Sequence, residues 1–170
     1  MLMSLDEMRI AIIGNSGSGK STLARELART ADVAVLELDS IVWEPGEIAV
    51  QRDRGSIEAD LRSFLAANSN WIVEGCYAEL VAALLPSCTE LIFLNPGEAV
   101  CLERNCKRPW ERHKYESADA QASMLDALLD WVRGYYTRDD EWSLQAHRRI
   151  FDSHTGRKRE IRAAVDDTAA

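Results

Sequence analysis

Nine consecutive residues, Gly14-Asn15-Ser16-Gly17-Ser18-Gly19-Lys20-Ser21-Thr22, fit the spacing G-x-x-x-x-G-K-[ST]. Their types suit one task, the gripping of phosphate. Gly14, Gly17 and Gly19 let the backbone take conformations closed to residues with a Cβ. The N–H groups of Asn15, Ser16, Ser18 and their neighbours can then turn inward as an anion nest. Lys20 supplies a point charge for β- and γ-phosphates, and Ser21 a hydroxyl for Mg²⁺. Thr22 lies in the first turn of a following helix, whose free N–H donors and positive dipole end add to the cradle. ATP and magnesium are therefore the expected ligands.

Phosphoryl transfer also needs an acid, to hold magnesium waters or to activate an acceptor, and positive charge for the transferring group. Asp39 follows the apolar run 33–38, and Glu74 ends the run 71–74. Either acid serves that chemistry; either serves equally as a cap for the turn that follows. Positive charge is concentrated between residues 104 and 114, where Arg104, Lys107, Arg108, Arg112 and Lys114 face one acid, Glu111. A solvated helix face gives the same pattern, but a lid closing over nucleotide needs it. Arg138 and Arg149 are further candidates. Arg52 and Arg54 either hold an anionic acceptor or sit on the surface.

The elements that must position these residues alternate. Short apolar runs at 9–13, 33–38, 71–75 and 90–94 read as buried strands, with a weaker one at 159–165. Helices are expected at 21–30, 52–67, 77–85, 98–107, 118–136 and 139–151. Leu125, Leu128, Val132 and Tyr135 supply helical spacing along the longest of them. The stretch 41–46 reads as an irregular apolar loop in which Trp43 lines a pocket or packs. Strands alternating with helices imply a parallel sheet covered on both faces, with ligands at the carboxyl ends of the strands. Asp39, Glu74, Asn95 and the phosphate loop should therefore share one rim. An acceptor would enter between the 52–67 helix and that rim.

The 170 residues suffice for a single domain, with 1–7 and 166–170 expected as mobile ends and about 104–138 as a lid region. At a net charge of −8 the composition argues against nucleic acid bound through a broad basic surface. The four cysteines form no C-x-x-C pair, which fits reduced thiols in a cytoplasmic protein. Residues 1–7 lack the basic start of a signal peptide, and no apolar run approaches the roughly 20 residues of a membrane span.

The order of these pieces resembles the nucleoside-monophosphate kinase and shikimate kinase group of P-loop proteins. Adenylate kinases carry a similar helix-to-lid segment, here Arg104-Asn105-Cys106-Lys107-Arg108. They also carry a lid-exit helix similar to Arg138-Asp139-Asp140 with Arg149 eleven positions on. In that family these arginines grip phosphates. Glu74-Gly75 occupies the place of the family's Asp-Gly, and Asp39 is similar in position to the substrate or magnesium aspartate of shikimate kinases. The chain is also similar, over about residues 8–163, to the FlaR-like branch labelled "DNA topology modulation" proteins, grouped with adenylate kinases. That branch has Leu-Asp after strand two, a Trp-Pro loop and Trp-Ile-Val-acid-Gly-x-Tyr at strand three.

The resemblance implies an α/β, three-layer P-loop NTPase fold with a five-stranded parallel sheet and a helical lid. It implies an ATP- and Mg-dependent phosphotransferase acting on a nucleotide or other small-molecule acceptor. In that reading Lys20, Asp39, Glu74, Arg104, Arg108, Arg138 and Arg149 form the catalytic set, and Ser21, Asp39 and Glu74 hold the metal. Cys76-Tyr77 replaces the Phe-Pro-Arg of adenylate kinases, and the Gly-rich segment of shikimate kinases is missing, so the acceptor stays open. The alternatives are a nucleotide-binding regulatory ATPase and, set against the acidic composition, a nucleic-acid-linked ATPase.

Overall fold

A computed structural model describes residues 7–45, 47, 50–112 and 115–164. Five strands form one all-parallel sheet in the order β2-β3-β1-β4-β5. They are β1 (Arg9–Gly14), β2 (Ala34–Glu37), β3 (Trp71–Gly75), β4 (Glu90–Leu94) and β5 (Lys158–Ile161). The helices are α1 (Lys20–Arg29), α2 (Asp39–Val42), α3 (Arg54–Ala67), α4 (Ala78–Leu84), α5 (Glu98–Cys106), α6 (Ala118–Ser123), α7 (Leu125–Gly134) and α8 (Leu144–Ser153).

Alternation along the strands explains the three layers. Ala11, Ile13, Trp71, Val73, Leu91 and Phe93 point to one face, where they pack with apolar residues of α3, α4 and α8. Ile10, Ile12, Ile72, Ile92 and Leu94 point to the other, against Leu23 and Ala24 of α1. Successive residues of a strand face opposite ways, so a strand covered on both sides must be apolar throughout. This is why β1, β3 and β4 read as unbroken apolar runs.

Three expectations need correction. The helix expected over 118–136 is two: α6 ends at Ser123, Met124 makes a turn, and α7 starts afresh. The cause is a division of labour. No residue of α6 is buried, and it is held by Gln121, whose side chain bonds the backbone of Arg108, Pro109 and Glu111. The amphipathic α7 packs on α5 instead. The helix expected at 139–151 begins only at Leu144, because Ser143 caps it by accepting from Ala146 N. Asp140 bonds Trp142 N and Ser143 N, and so makes a turn of residues 140–143. Ile41 and Val42, expected to begin an irregular loop, belong instead to the helical turn α2 that Asp39 opens. The expected mobile ends fall outside the described residues, apart from Glu7, as do Gly46, Lys114 and Val165.

Candidate active site

The phosphate loop leaves the central strand β1 and enters α1 at Lys20. Gly17 and Gly19 take φ of +76° and +100°, where a Cβ is strained against its own backbone. A Cβ on Gly17 would also strike the Cys101 carbonyl and lie 2.6 Å from Asn105 Nδ2, because α5 rests directly on the loop. Side chains brace the loop from behind. Asn15, buried, donates from Nδ2 to Val132 O of α7 (3.1 Å) and accepts Ser16 N at Oδ1 (2.8 Å). Ser16 Oγ donates to Asn105 Oδ1 (3.1 Å), and Asn105 Nδ2 donates to Cys101 O (2.8 Å). Ser18 is fully buried. Lys20 folds back so that Nζ donates to Asn15 O at 2.9 Å.

The two acids come from neighbouring strand ends. Strand register places Glu74 beside Ile12 of β1 and Glu37 of β2. Its carboxylate, only 4% exposed, accepts from Ser21 Oγ at 2.5 Å. Burial pushes the Glu74 carboxyl above its ordinary range; Lys20 and the Ser21 bond oppose this, and the charges of Glu37 and Asp39 add to it. Asp39, just past β2, accepts from the Tyr77 hydroxyl at 2.6 Å. Burial first, and then the charge of Asp39, raises the Tyr77 phenol, so it stays protonated and remains a donor. Trp43 tilts against the Tyr77 ring with centroids 6.4 Å apart, so it packs behind Asp39.

The loop, Asp39 and Glu74 open into one cleft of about 1230 Å³. Thr22 lines it, as do Arg104, Lys107, Arg108 and Arg112 from α5 and the segment beyond. Arg104 donates to Ser18 O (3.2 Å), and Arg108 reaches Ser16 Oγ and Glu111, each at 3.4 Å. Arg138 and Arg149 do not line the cleft. Arg138 clamps the α7–α8 corner, donating to Trp131 O (2.7 Å) and Trp142 O (3.0 Å) with its guanidinium 4.0 Å over the Trp131 ring. Arg149 is exposed on α8. Arg52 pairs with Asp60, and Arg54 with Glu58 and Glu79, both away from the cleft. Asn95 turns to β5, where it donates to Glu160.

Sequence reasoning did not single out Asn105, Tyr77 as the partner of Asp39, Gln121 or His147. The last is fully buried. Its Nε2 lies 2.8 Å from Cys76 O and its Nδ1 2.9 Å from Tyr135 OH. A carbonyl only accepts, so Nε2 carries the proton and Nδ1 accepts from the tyrosine. Burial pushes the His147 pKa down to about 3. His147 thus holds the backbone that follows Glu74-Gly75. An apolar neighbourhood around a lone His or Asn is the only signal the sequence offered.

A phosphate loop on the central strand of an all-parallel sheet, with an acid on the next strand bonded to the loop's serine, defines a P-loop nucleotide-binding protein. The chain belongs to the AAA domain family, which matches residues 10–126. Its fold is similar to that of a gluconokinase from Sinorhizobium meliloti 1021, with TM-score 0.53 and 18% identity over 94% of this chain and 84% of that one. It is also similar to deoxyadenosine kinase from M. mycoides with bound dATP, with TM-score 0.50 and 12% identity over 94% of this chain and 93% of that one. At these identities the likeness is one of fold. No curated protein matches the chain. Among the described residues, no helix is long and apolar enough to cross a membrane.

Proposed function

We propose that this protein is an ATP- and magnesium-dependent phosphotransferase acting on a nucleotide or other small-molecule acceptor. The observation that carries the reading is convergence. Lys20, the Ser21–Glu74 pair, Asp39, Arg104 and Arg108 reach one cleft from four separate stretches of chain. The kinase names of both structural neighbours support it.

Ser21, Asp39 and Glu74 suit magnesium. Among the described residues no group of three or more His, Cys, Asp and Glu forms a protein cage for a metal. A hydroxyl fixed by a buried carboxylate is instead the donor set of an ion that keeps its waters and phosphate ligands. When bound, magnesium neutralises charge on the phosphates. The loop N–H groups and Lys20 bind the β- and γ-phosphates. Glu74 orients the Ser21 hydroxyl. Tyr77 orients Asp39, which takes the proton of an acceptor hydroxyl as its oxygen bonds to the γ-phosphorus and the bond to ADP breaks. Arg104 and Arg108 balance the charge in flight. Residues 107–112 and 115–117, with α6, act as the lid that excludes water.

The test is ADP release from ATP and Mg²⁺ with a panel of nucleosides, nucleoside monophosphates, shikimate and gluconate. Lys20→Ala serves as the blank. One acceptor turned over well above the blank names the substrate class. Equal turnover by a folded Lys20→Ala protein sinks the mechanism. Tight ATP binding with slow, acceptor-independent turnover points to the regulatory ATPase instead.

A further inference from the structure

The cleft holds cations that the phosphate loop does not use. Among the described residues, seven Lys and Arg line it, against five Asp and Glu. The described lining therefore carries +2 in a chain whose net charge is −8. Lys20, Arg104 and Arg108 are bonded to the loop, and Lys107 is paired with Glu103. Arg25, Arg29 and Arg112 remain. Arg25 and Arg29 stand one turn apart on the exposed flank of α1, where they form one wall of the cleft. Among the described residues neither has an ion-pair partner, although Glu26 lies between them in sequence. From the segment after α5, Arg112 stacks its guanidinium 5.0 Å from the centroid of the exposed Trp110 ring. Two arginines at this spacing can close on a single carboxylate or phosphate from two sides. A cleft lined by an excess of positive charge in an acidic molecule concentrates anions there.

We propose that the outer cleft is an acceptor subsite selective for anions, with Arg25 and Arg29 gripping a carboxylate or phosphate group of the acceptor while its hydroxyl reaches Asp39. The proposal rests on the phosphotransferase reading of the same cleft and narrows its substrate class. Trp110 with Arg112 supplies a flat face for the body of the acceptor. Glu26 and Glu37 share this part of the cleft and disfavour a second negative charge away from the arginine pair. The fitting acceptor is thus a hydroxy compound bearing one compact anionic group.

The experiment uses the full chain saturated with a non-hydrolysable ATP analogue and Mg²⁺. Calorimetry compares matched probes: gluconate with sorbitol, AMP with adenosine, and shikimate with its methyl ester. In wild type the anionic member of at least one pair should bind about tenfold or more tightly than its neutral partner. Arg25→Gln/Arg29→Gln should raise that Kd by about tenfold, more at low salt than at high, and leave analogue affinity within about twofold. The proposal is overturned if no anion outbinds its neutral partner, or if the preference survives the double substitution. The underlying reading fails separately. Analogue binding that survives Lys20→Ala removes the nucleotide site, and an absence of ADP release with a bound anion removes the transfer step but not the anion subsite.

Discussion

Acidification should destabilise this protein well above the range in which carboxylates titrate, and His147 is the reason. In the folded state its Nε2–H is committed to Cys76 O and its Nδ1 to the Tyr135 hydroxyl, inside a site with no exposure. A second proton would bring a charge into the buried core, beside the positive charges of Lys20 and Arg138, which is why the pKa falls to about 3. The unfolded chain protonates this histidine near pH 6.5. The folded pKa is depressed, so the contribution is fully present above about pH 6.5 and is lost as the pH falls towards 3. From pH 7.5 to 5 the unfolded state gains about 1.5 pK units of proton binding that the folded state refuses. At about 1.4 kcal/mol per unit this is about 2 kcal/mol. For a chain of this size it lowers Tm by about 4–8 °C. Denaturant or thermal unfolding across that pH range reads it directly. His147→Gln keeps an N–H for Cys76 O but loses the acceptor for Tyr135. It should cost about 1–3 kcal/mol at every pH and flatten the slope by about 2 kcal/mol. Tyr135→Phe removes the bond and leaves the titrating ring, so it should lower stability while keeping the slope. Parallel pH profiles for wild type and His147→Gln would refute the reasoning.

Three further outcomes follow from the site. Glu74→Gln relieves a buried charge yet keeps an oxygen for Ser21, so stability should hold or rise by up to about 1 kcal/mol while kcat falls at least about tenfold; a large loss of Tm would place the ionised carboxylate among the fold's supports. Gly17→Ala must move α5 off the loop and strain a positive φ, at a cost of about 2 kcal/mol or more, together with nucleotide affinity; wild-type Tm and affinity would contradict the observed contact. Arg108→Ala should lower kcat by about tenfold with little change in the ATP KM; an effect confined to KM would assign it to ground-state binding.

What was legible in the sequence is what is local. The phosphate loop, the strands at 9–13, 71–75 and 90–94, and the two covered faces all follow from spacing and unbroken apolar runs. Asp39 and Glu74 could be placed on one rim because a parallel sheet brings its carboxyl ends together. What was not legible depends on partners far along the chain. Asn105 touches Ser16 across 89 residues, and His147 touches Cys76 across 71. Neither Arg138 nor Arg149 lines the cleft, and the placement of Arg149 has a local cause. Ser143, not Asp139, sets where α8 begins, and from that start Arg148 turns to Glu160 while Arg149 faces outward. The break at Met124 was hidden because the spacing that marked the helix, Leu125 to Tyr135, lies wholly beyond it, and the residues before it carry no helix-breaking Gly or Pro.

The seat of α5 on Gly17 sets where this molecule can bend. The Cys101 carbonyl, Asn105 and the Arg104 guanidinium all touch the loop, so α5 and the cradle are one block, and Asn15 fastens α7 to the same block. An opening and shutting motion can therefore neither begin at the start of α5 nor recruit α7 without tearing the cradle. The lid proposed above would therefore pivot after Cys106 and near Met124. The phosphate loop's end of the cleft is thus braced from behind by two helices. In that lid, movement would fall to the span that carries Trp110 and Arg112, and the two ends of one cleft would be built to different tolerances.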